Sequence, residues 1–377
     1  MEFIDLKAQY KAYKENLDAE IMDCISSAEF ILGNKEKQFE SNLSKYIGID
    51  YSIGCASGTD ALQLIYMACG LGTGDAIFCP DMTFIASIEP ACLMGATPVF
   101  CDIDYDTFNI SVDSLEKQIN NVLREGKLTP KVIVAVDFLG NPADYDGLMA
   151  VARKYGLLLV EDAAQGVGAV YQGKKCGALG DIGATSFFPS KPLGCYGDGG
   201  AVFTNDSEYK EVIQSLRVHG KGKTKYDNVR IGLNSRLDTI QAAVLDVKLR
   251  HLDDEMKIRQ EVVKRYREEL NGVVHMQLVK EGNYSSYAQF VICMNNQTER
   301  DAMKNHLEEK GIPTIVYYPN ALHNLPVFKD VECYGENLYN AVKYGQCNLG
   351  LPFSAFLREE DQNYVIGHIK SFFGGMI

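Results

Sequence analysis

The chain has no excess of positive charge: 37 lysines and arginines stand against 50 aspartates and glutamates, a net charge of -13. That balance argues against nucleic acid or an anionic membrane surface as a partner. A local set of backbone N–H groups could still take a phosphate. No two of the 11 cysteines have the C-x-x-C spacing, so neither a zinc site nor a disulfide framework is expected, and no other metal is. Thiols lying inside apolar runs, such as Cys55, Cys79 and Cys101, suit a reducing compartment. No apolar run reaches about 18 residues. The opening Met1-Glu-Phe-Ile-Asp-Leu-Lys7 lacks the order of a secretory signal. The expectation is a soluble, cytoplasmic protein. Internal repeats and low-complexity segments are absent too. Gly220-Lys-Gly-Lys-Thr224 looks like the end of a phosphate-binding P-loop, but Arg217 occupies the position of its first glycine and no strand precedes it. Gly70-Leu-Gly-Thr-Gly74 follows a helix and precedes a strand, the wrong context for a dinucleotide motif, and reads as a loop.

What is present is alternation. At 377 residues and 46% hydrophobic, the chain can bury a large core and form two domains. Amphipathic helices are expected over residues 5–30 and 35–47, then a strand at Tyr51–Cys55 and a helix over 61–69. Strands at 76–79, 98–103, 131–136 and 157–160 are separated by helices at 85–94, 111–124 and 147–155. The run after Lys131 is apolar throughout, as in a parallel strand covered on both faces. This pattern predicts a doubly wound α/β domain with its ligand at the carboxyl ends of the strands. After a helix at 239–249 the chain turns to a Lys/Glu-rich helix over 254–270. That change sets the predicted boundary: a large domain over 1–250 and a smaller α+β domain over 251–377. The smaller domain has strands at 289–294 and 314–317 and helices at 299–310 and 359–372.

Three stretches carry the chemistry. In Ser186-Phe-Phe-Pro-Ser-Lys191-Pro-Leu-Gly-Cys-Tyr-Gly-Asp-Gly-Gly200 one lysine is set among small residues whose backbone can approach a bound group closely. Lys191 is a candidate for a Schiff base with a carbonyl cofactor; a surface-loop lysine is the bland alternative. Glu161-Asp162-Ala-Ala-Gln165 ends a strand with two carboxylates. One of them could hold a protonated ring nitrogen and Gln165 a ring hydroxyl, or the acids could cap the next segment. In Ala56-Ser57-Gly58-Thr59-Asp60 a strand meets a helix start, an anion site in outline, with plain capping as the alternative. Phe84, at another such junction, could lie over a flat ring or pack into the core. Tyr317-Tyr-Pro-Asn-Ala-Leu-His323 is a loop with groups able to bond a polar ligand.

Together these stretches resemble the DegT/DnrJ/EryC1/StrS sugar aminotransferases, fold-type I pyridoxal-phosphate enzymes. The resemblance covers nearly the whole chain, through Ser57–Leu62, Thr83-Phe84, Asp102–Asp104, Glu161–Gln165, Ser186 with Lys191, Gly197–Gly200, Asn234–Asp238 and Tyr318-Pro with His323. The wording around Lys191 looks most like the branch that aminates UDP-2-acetamido-2-deoxy-ribo-hexuluronate. The resemblance implies a mostly parallel, seven-stranded-type sheet and pyridoxal 5'-phosphate as cofactor. It implies that Lys191 binds the cofactor and shuttles the proton, Asp162 pairs with the ring nitrogen, Gln165 meets the 3-hydroxyl and Phe84 stacks on the ring. Gly58, Thr59 and Ser186 would hold the phosphate, with Asn234 reaching in from the second subunit of a homodimer. Arg236, Tyr317, Tyr318 and His323 would face substrate, an arginine being suited to a carboxylate. L-Glutamate and a nucleotide-linked keto sugar are the implied partners, in surface polysaccharide synthesis. The alternatives are a C3 or C4 aminotransferase for a dTDP- or UDP-linked keto-deoxyhexose, a sugar dehydratase, which would carry histidine at 191, and a non-catalytic regulator. Asp137 and Leu139 depart from the common family wording.

Overall fold

The computed structural model describes residues 1–224 and 226–374. Helices α1 (Leu6–Ser27) and α2 (Asn34–Ile47) lead into β1 (Tyr51–Cys55), α3 (Gly58–Ala68) and β2 (Asp75–Pro80). There follow α4 (Glu89–Leu93), β3 (Thr97–Cys101), α5 (Val112–Glu125), β4 (Thr129–Val136), α6 (Tyr145–Tyr155) and β5 (Leu158–Asp162). Two short strands, β6 (Val170–Tyr171) and β7 (Lys174–Lys175), precede β8 (Ile182–Ser186), β9 (Gly200–Thr204) and α7 (Ser207–Leu216). After α8 (Thr239–Leu249) and α9 (Leu252–Leu270) come β10 (His275–Met276), β11 (Asn283–Tyr284), β12 (Phe290–Cys293), α10 (Gln297–Glu309), α11 (Tyr339–Cys347), β13 (Asn348–Leu351) and α12 (Glu359–Gly374).

The central sheet has seven strands in the order β1-β9-β8-β5-β4-β2-β3. Only β9 runs against the others, pairing antiparallel with β1 and β8, while β8, β5, β4, β2 and β3 pair in parallel. Val132, Val134 and Val136 of β4 face one apolar cluster, and Ile133 and Ala135 face the other. A strand covered on both faces has no polar side to display. The carboxyl ends of β1, β2, β4, β5 and β8 therefore lie along one edge, and the reversed β9 begins there. A second sheet, β10-β12-β13, packs with α9, α10 and α12.

Two expectations are corrected. The helix over 85–94 is broken: Ile85–Ser87 forms a single 3-10 turn, and a new helix begins at Glu89 with Pro90 in its first turn, a proline having no N–H for a continuous helix. The strand over 314–317 shrinks to one bridge, Ile315 with Gly350. The Tyr317 N–H goes to the Asn348 side chain (2.7 Å) rather than to a ladder carbonyl. Arg217 is buried, with Nη1 bonded to Glu40 Oε1 (2.8 Å), Glu36 Oε1 (3.2 Å) and the Gly54 carbonyl (2.6 Å), a structural role. Among the described residues no helix is long and apolar enough to cross a membrane.

Candidate active site

Lys191 hangs on the loop that joins β8 to the antiparallel β9. Register places Ser186 opposite Gly200, and the loop closes on itself through Phe187 N to Gly199 O, Cys195 N to Phe187 O and Lys191 N to Phe188 O, each 2.8 Å. Its glycine is obligatory at 194, where a Cβ would come within 2.4 Å of the Pro189 carbonyl. Behind the loop, the buried ammonium of Lys248 donates to the Gly194 carbonyl at 2.7 Å. The lysine is thus presented half-buried by a tightly folded loop.

Asp162, the last residue of β5, is buried. Its Oδ2 accepts from Ser87 Oγ (2.7 Å) and its Oδ1 from the Ala164 N–H (3.1 Å). Ser87 Oγ is itself 2.9 Å from Thr83 Oγ1. Burial raises the carboxyl of Asp162 above its ordinary value, opposed by Ser87, by the Ala164 N–H and by the charge of Lys191. Burial likewise lowers the amine of Lys191, opposed by Asp162. The two groups feel each other's charge, yet no direct ion pair joins them among the described residues. A less basic amine is the more available nucleophile.

At the other end of the site Ser57 caps α3, its Oγ accepting from the Asp60 N–H (3.0 Å) and its carbonyl from the Ala61 N–H (3.0 Å). Gly58 N and Thr59 N have no acceptor among the described residues. A Cβ on Gly58 would lie 2.6 Å from that of Ser186, and one on Gly200 would lie 2.3 Å from the Ser57 carbonyl. Three chain segments therefore converge at a helix N-terminus, which suits an anion. The capping reading of this stretch holds, and the cap leaves the Gly58 and Thr59 N–H groups free of it.

Gln165 is buried, with Oε1 accepting from the Leu139 N–H at 2.5 Å. Phe84 is 53% exposed, so it is no core residue. Its ring centre lies 5.8 Å from that of the half-buried Tyr318, tilted by 40°. Tyr317 is half-buried beside it, 5.9 Å ring to ring. His323 is engaged by Asp81 at the end of β2, Nδ1 to Oδ2 at 2.5 Å, and this bond raises its imidazole. Arg236 is half-buried with no ion pair among the described residues. Asn234 is exposed, on a loop bridged to Val218, and the next residue, Ser235, accepts the Ala56 N–H at 3.1 Å beside the start of α3. Sequence reasoning missed Ser87 and Lys248 and gave Thr83 no role. Nothing in their local pattern marks a hydroxyl bound to a carboxylate 75 residues away.

These groups fit pyridoxal phosphate. The donor set comprises N–H groups suited to a phosphate, a buried carboxylate suited to a ring nitrogen, and a lysine whose charge that carboxylate feels. Fold and site together define an aminotransferase scaffold of the pyridoxal-phosphate type. The chain belongs to the DegT/DnrJ/EryC1/StrS aminotransferase family, whose profile matches residues 11–370. It is 42% identical over 333 residues, 88% of this chain and 89% of the relative, to the UDP-2-acetamido-2-deoxy-3-oxo-D-glucuronate aminotransferase of Pseudomonas aeruginosa. It superposes with a TM-score of 0.96 on a DegT/DnrJ/EryC1/StrS aminotransferase from Brucella abortus, 45% identical, covering 99% of this chain and 100% of that one. A sugar aminotransferase from Streptococcus pneumoniae in its PLP form gives a TM-score of 0.88 at 27% identity, covering 96% and 97%.

The Ser87–Asp162 bond has a measurable consequence. Ser87→Ala is expected to cut turnover about tenfold, the loss of one hydrogen bond to a charged group. Steady-state kinetics checks this, with an unchanged circular dichroism spectrum showing that the fold is intact.

Proposed function

We propose that this chain is a pyridoxal-phosphate-dependent aminotransferase that moves the amino group of L-glutamate onto a nucleotide-linked keto sugar. The sugar is the 3-keto uronate UDP-2-acetamido-2-deoxy-ribo-hexuluronate, and the product serves surface polysaccharide synthesis in the cytoplasm. The observation that carries this reading is the placement of Lys191 and Asp162 at one sheet edge, with the Gly58–Ser186 anion cradle beside them. The cofactor supplies an electron sink that acidifies the donor's α-proton. Lys191 Nζ would hold the cofactor through its aldehyde and, as a free amine, would be the base placed to carry the donor's α-proton. Asp162 keeps the ring nitrogen charged, and Ser87 keeps Asp162 ionised and aimed. Gln165 meets the ring hydroxyl, and Gly58, Thr59 and Ser186 hold the phosphate. Phe84 and Tyr318 shield the ring from water. Arg236 supplies the bidentate donor for the C6 carboxylate, with Tyr317 and His323 lining the sugar. In this reading the first 250 residues form the cofactor domain and the rest the smaller one.

The test is product formation from a panel of keto-sugar nucleotides with L-glutamate, read by 2-oxoglutarate release and product mass. The UDP 3-keto uronate is expected to give the highest kcat/KM. Preference for a dTDP-linked keto-deoxyhexose would contradict the assignment, and binding without amino transfer would contradict the enzyme.

The working unit in this proposal is a homodimer with shared sites. Met22, Ile25, Phe30, Ile31, Val229 and Ile231 are exposed apolar residues at 45–89%, an apolar surface that a second copy would cover. If Asn234 serves the neighbouring site, a mixture of Lys191→Ala and Asn234→Ala subunits regains activity that neither has alone. Each mixed dimer then carries one intact site. No recovery after subunit exchange would place both residues in one subunit's site.

A further inference from the structure

Beneath the site lies a buried cluster that the chemistry above does not use. Asp137, Glu161 and Cys176 each place a side-chain ligand atom within 4.8 Å of the others, and none of the three is exposed to solvent. Both oxygens of Glu161 are occupied by the N–H groups of Gly177, Leu179 and Gly180. Three such donors are what an ionised carboxylate calls for. Asp137 differs. Its Oδ1 accepts from Tyr145 Oη (2.8 Å) and the Ala143 N–H (3.3 Å), but its Oδ2 is fully buried with no partner. An ionised oxygen left bare in such a place is costly. A proton on that oxygen turns it from an orphaned acceptor into a donor, and a Glu161 oxygen lies within 4.8 Å of the Asp137 carboxyl.

We propose that Asp137 is a neutral carboxylic acid in the folded protein, that its proton is shared with Glu161, and that this pair is the support on which Gln165 and Asp162 are set. Burial first, and the charge of Glu161 second, push the Asp137 carboxyl well above the usual range, against the Tyr145 hydroxyl and the Ala143 N–H on Oδ1. Burial raises Glu161 as well, against the pull of its three N–H donors. The connection to the site is short. The Asp137 N–H bonds the Asp162 carbonyl at 3.1 Å. Asp137 begins the turn whose Leu139 N–H holds Gln165. A Cβ on Gly166 would meet Asp137 Oδ2 at 2.3 Å, so this carboxyl lies directly against the residue after Gln165. Asp137 is therefore a positioning residue.

The experiment is denaturant unfolding of the full chain and of Asp137→Asn across pH, at equal protein and cofactor concentration. Above the unfolded aspartate value the folded wild type holds one proton that the unfolded chain has lost, so its stability falls as pH rises. Asparagine supplies an N–H donor without that proton. The folding constant of D137N relative to wild type is expected to grow about tenfold per pH unit from about pH 5 to pH 8. A ratio that stays flat, or falls with pH, would mean an ionised Asp137 and overturn the proposal. Infrared spectroscopy of the wild type at neutral pH is the second measurement and needs no variant to fold. It should show the C=O stretch of a protonated carboxyl, shifted in D2O; its absence would overturn the proposal. So would stoichiometric zinc at these ligands in the purified enzyme. The positioning part rests on the function proposed above, whereas the proton count does not. Asp137→Ala should weaken pyridoxal-phosphate binding about tenfold while D137N binds as the wild type does; equal affinity in all three would refute the positioning role alone.

Discussion

Lys191→Ala is expected to lower amino transfer by at least about 10⁴-fold, the upper range for removal of a positioned acid–base group. In the proposed mechanism two functions go with one amine: the group that captures the aldehyde and the group that moves the proton. The loop that carries it should survive, because its closure runs through Phe187, Cys195 and Gly199 backbone bonds and the Lys248 ammonium, none of which involves the Lys191 side chain. The variant is therefore expected to fold, to bind cofactor more weakly without its visible lysine-linked band, and to release no 2-oxoglutarate from L-glutamate. An added small primary amine should restore part of the proton transfer. Full activity in this variant would contradict the mechanism.

Asp162→Asn is expected to keep the fold and most of the cofactor affinity, and to slow the half-reaction with L-glutamate about 10²–10³-fold, the scale of removing one preorganised electrostatic partner. Asparagine can still meet Ser87 and the Ala164 N–H, so the β5 end should hold its shape. What it cannot supply is the negative charge that keeps a pyridine nitrogen protonated. Burial raises the Asp162 carboxyl, so in the wild type that charge is lost on the acid side at a higher pH than for an exposed aspartate. The rate of the half-reaction should fall on that side, and the fall should be absent from D162N. Rapid-mixing absorbance measurements across pH read both effects. Equal rates for the two proteins would remove the charge from the account.

Much of this was legible in the residues. The apolar run of β4, the Ser57 cap and the helix over 239–249 follow from local pattern, because periodicity and capping are local forces. Lys191 and Asp162 stood out as costly residue types among small or apolar neighbours. The remainder depended on contacts distant along the chain. Strands β8 and β9 are only five residues each, too short to announce that they clasp the lysine loop. Residues 314–317 carry a strand-like pattern, and only the Asn348 side chain decides that their ladder stops. Glu161 and Asp162 look alike in sequence, yet neighbouring residues on a strand point to opposite faces. One clamps residues 177–180 while the other accepts from Ser87 on the opposite face. Asp137 differs from the usual family wording, and its meaning appears only once Glu161 and Gly166 are seen against it.

The most direct test of the central claim is to fix the bound cofactor with borohydride, digest the protein and locate the added mass. The account places all of it on the peptide containing Lys191. Lys248 is the rival amine, nearby, buried and with its basicity lowered to about 8. Label on Lys248, or on no lysine, would contradict the claim.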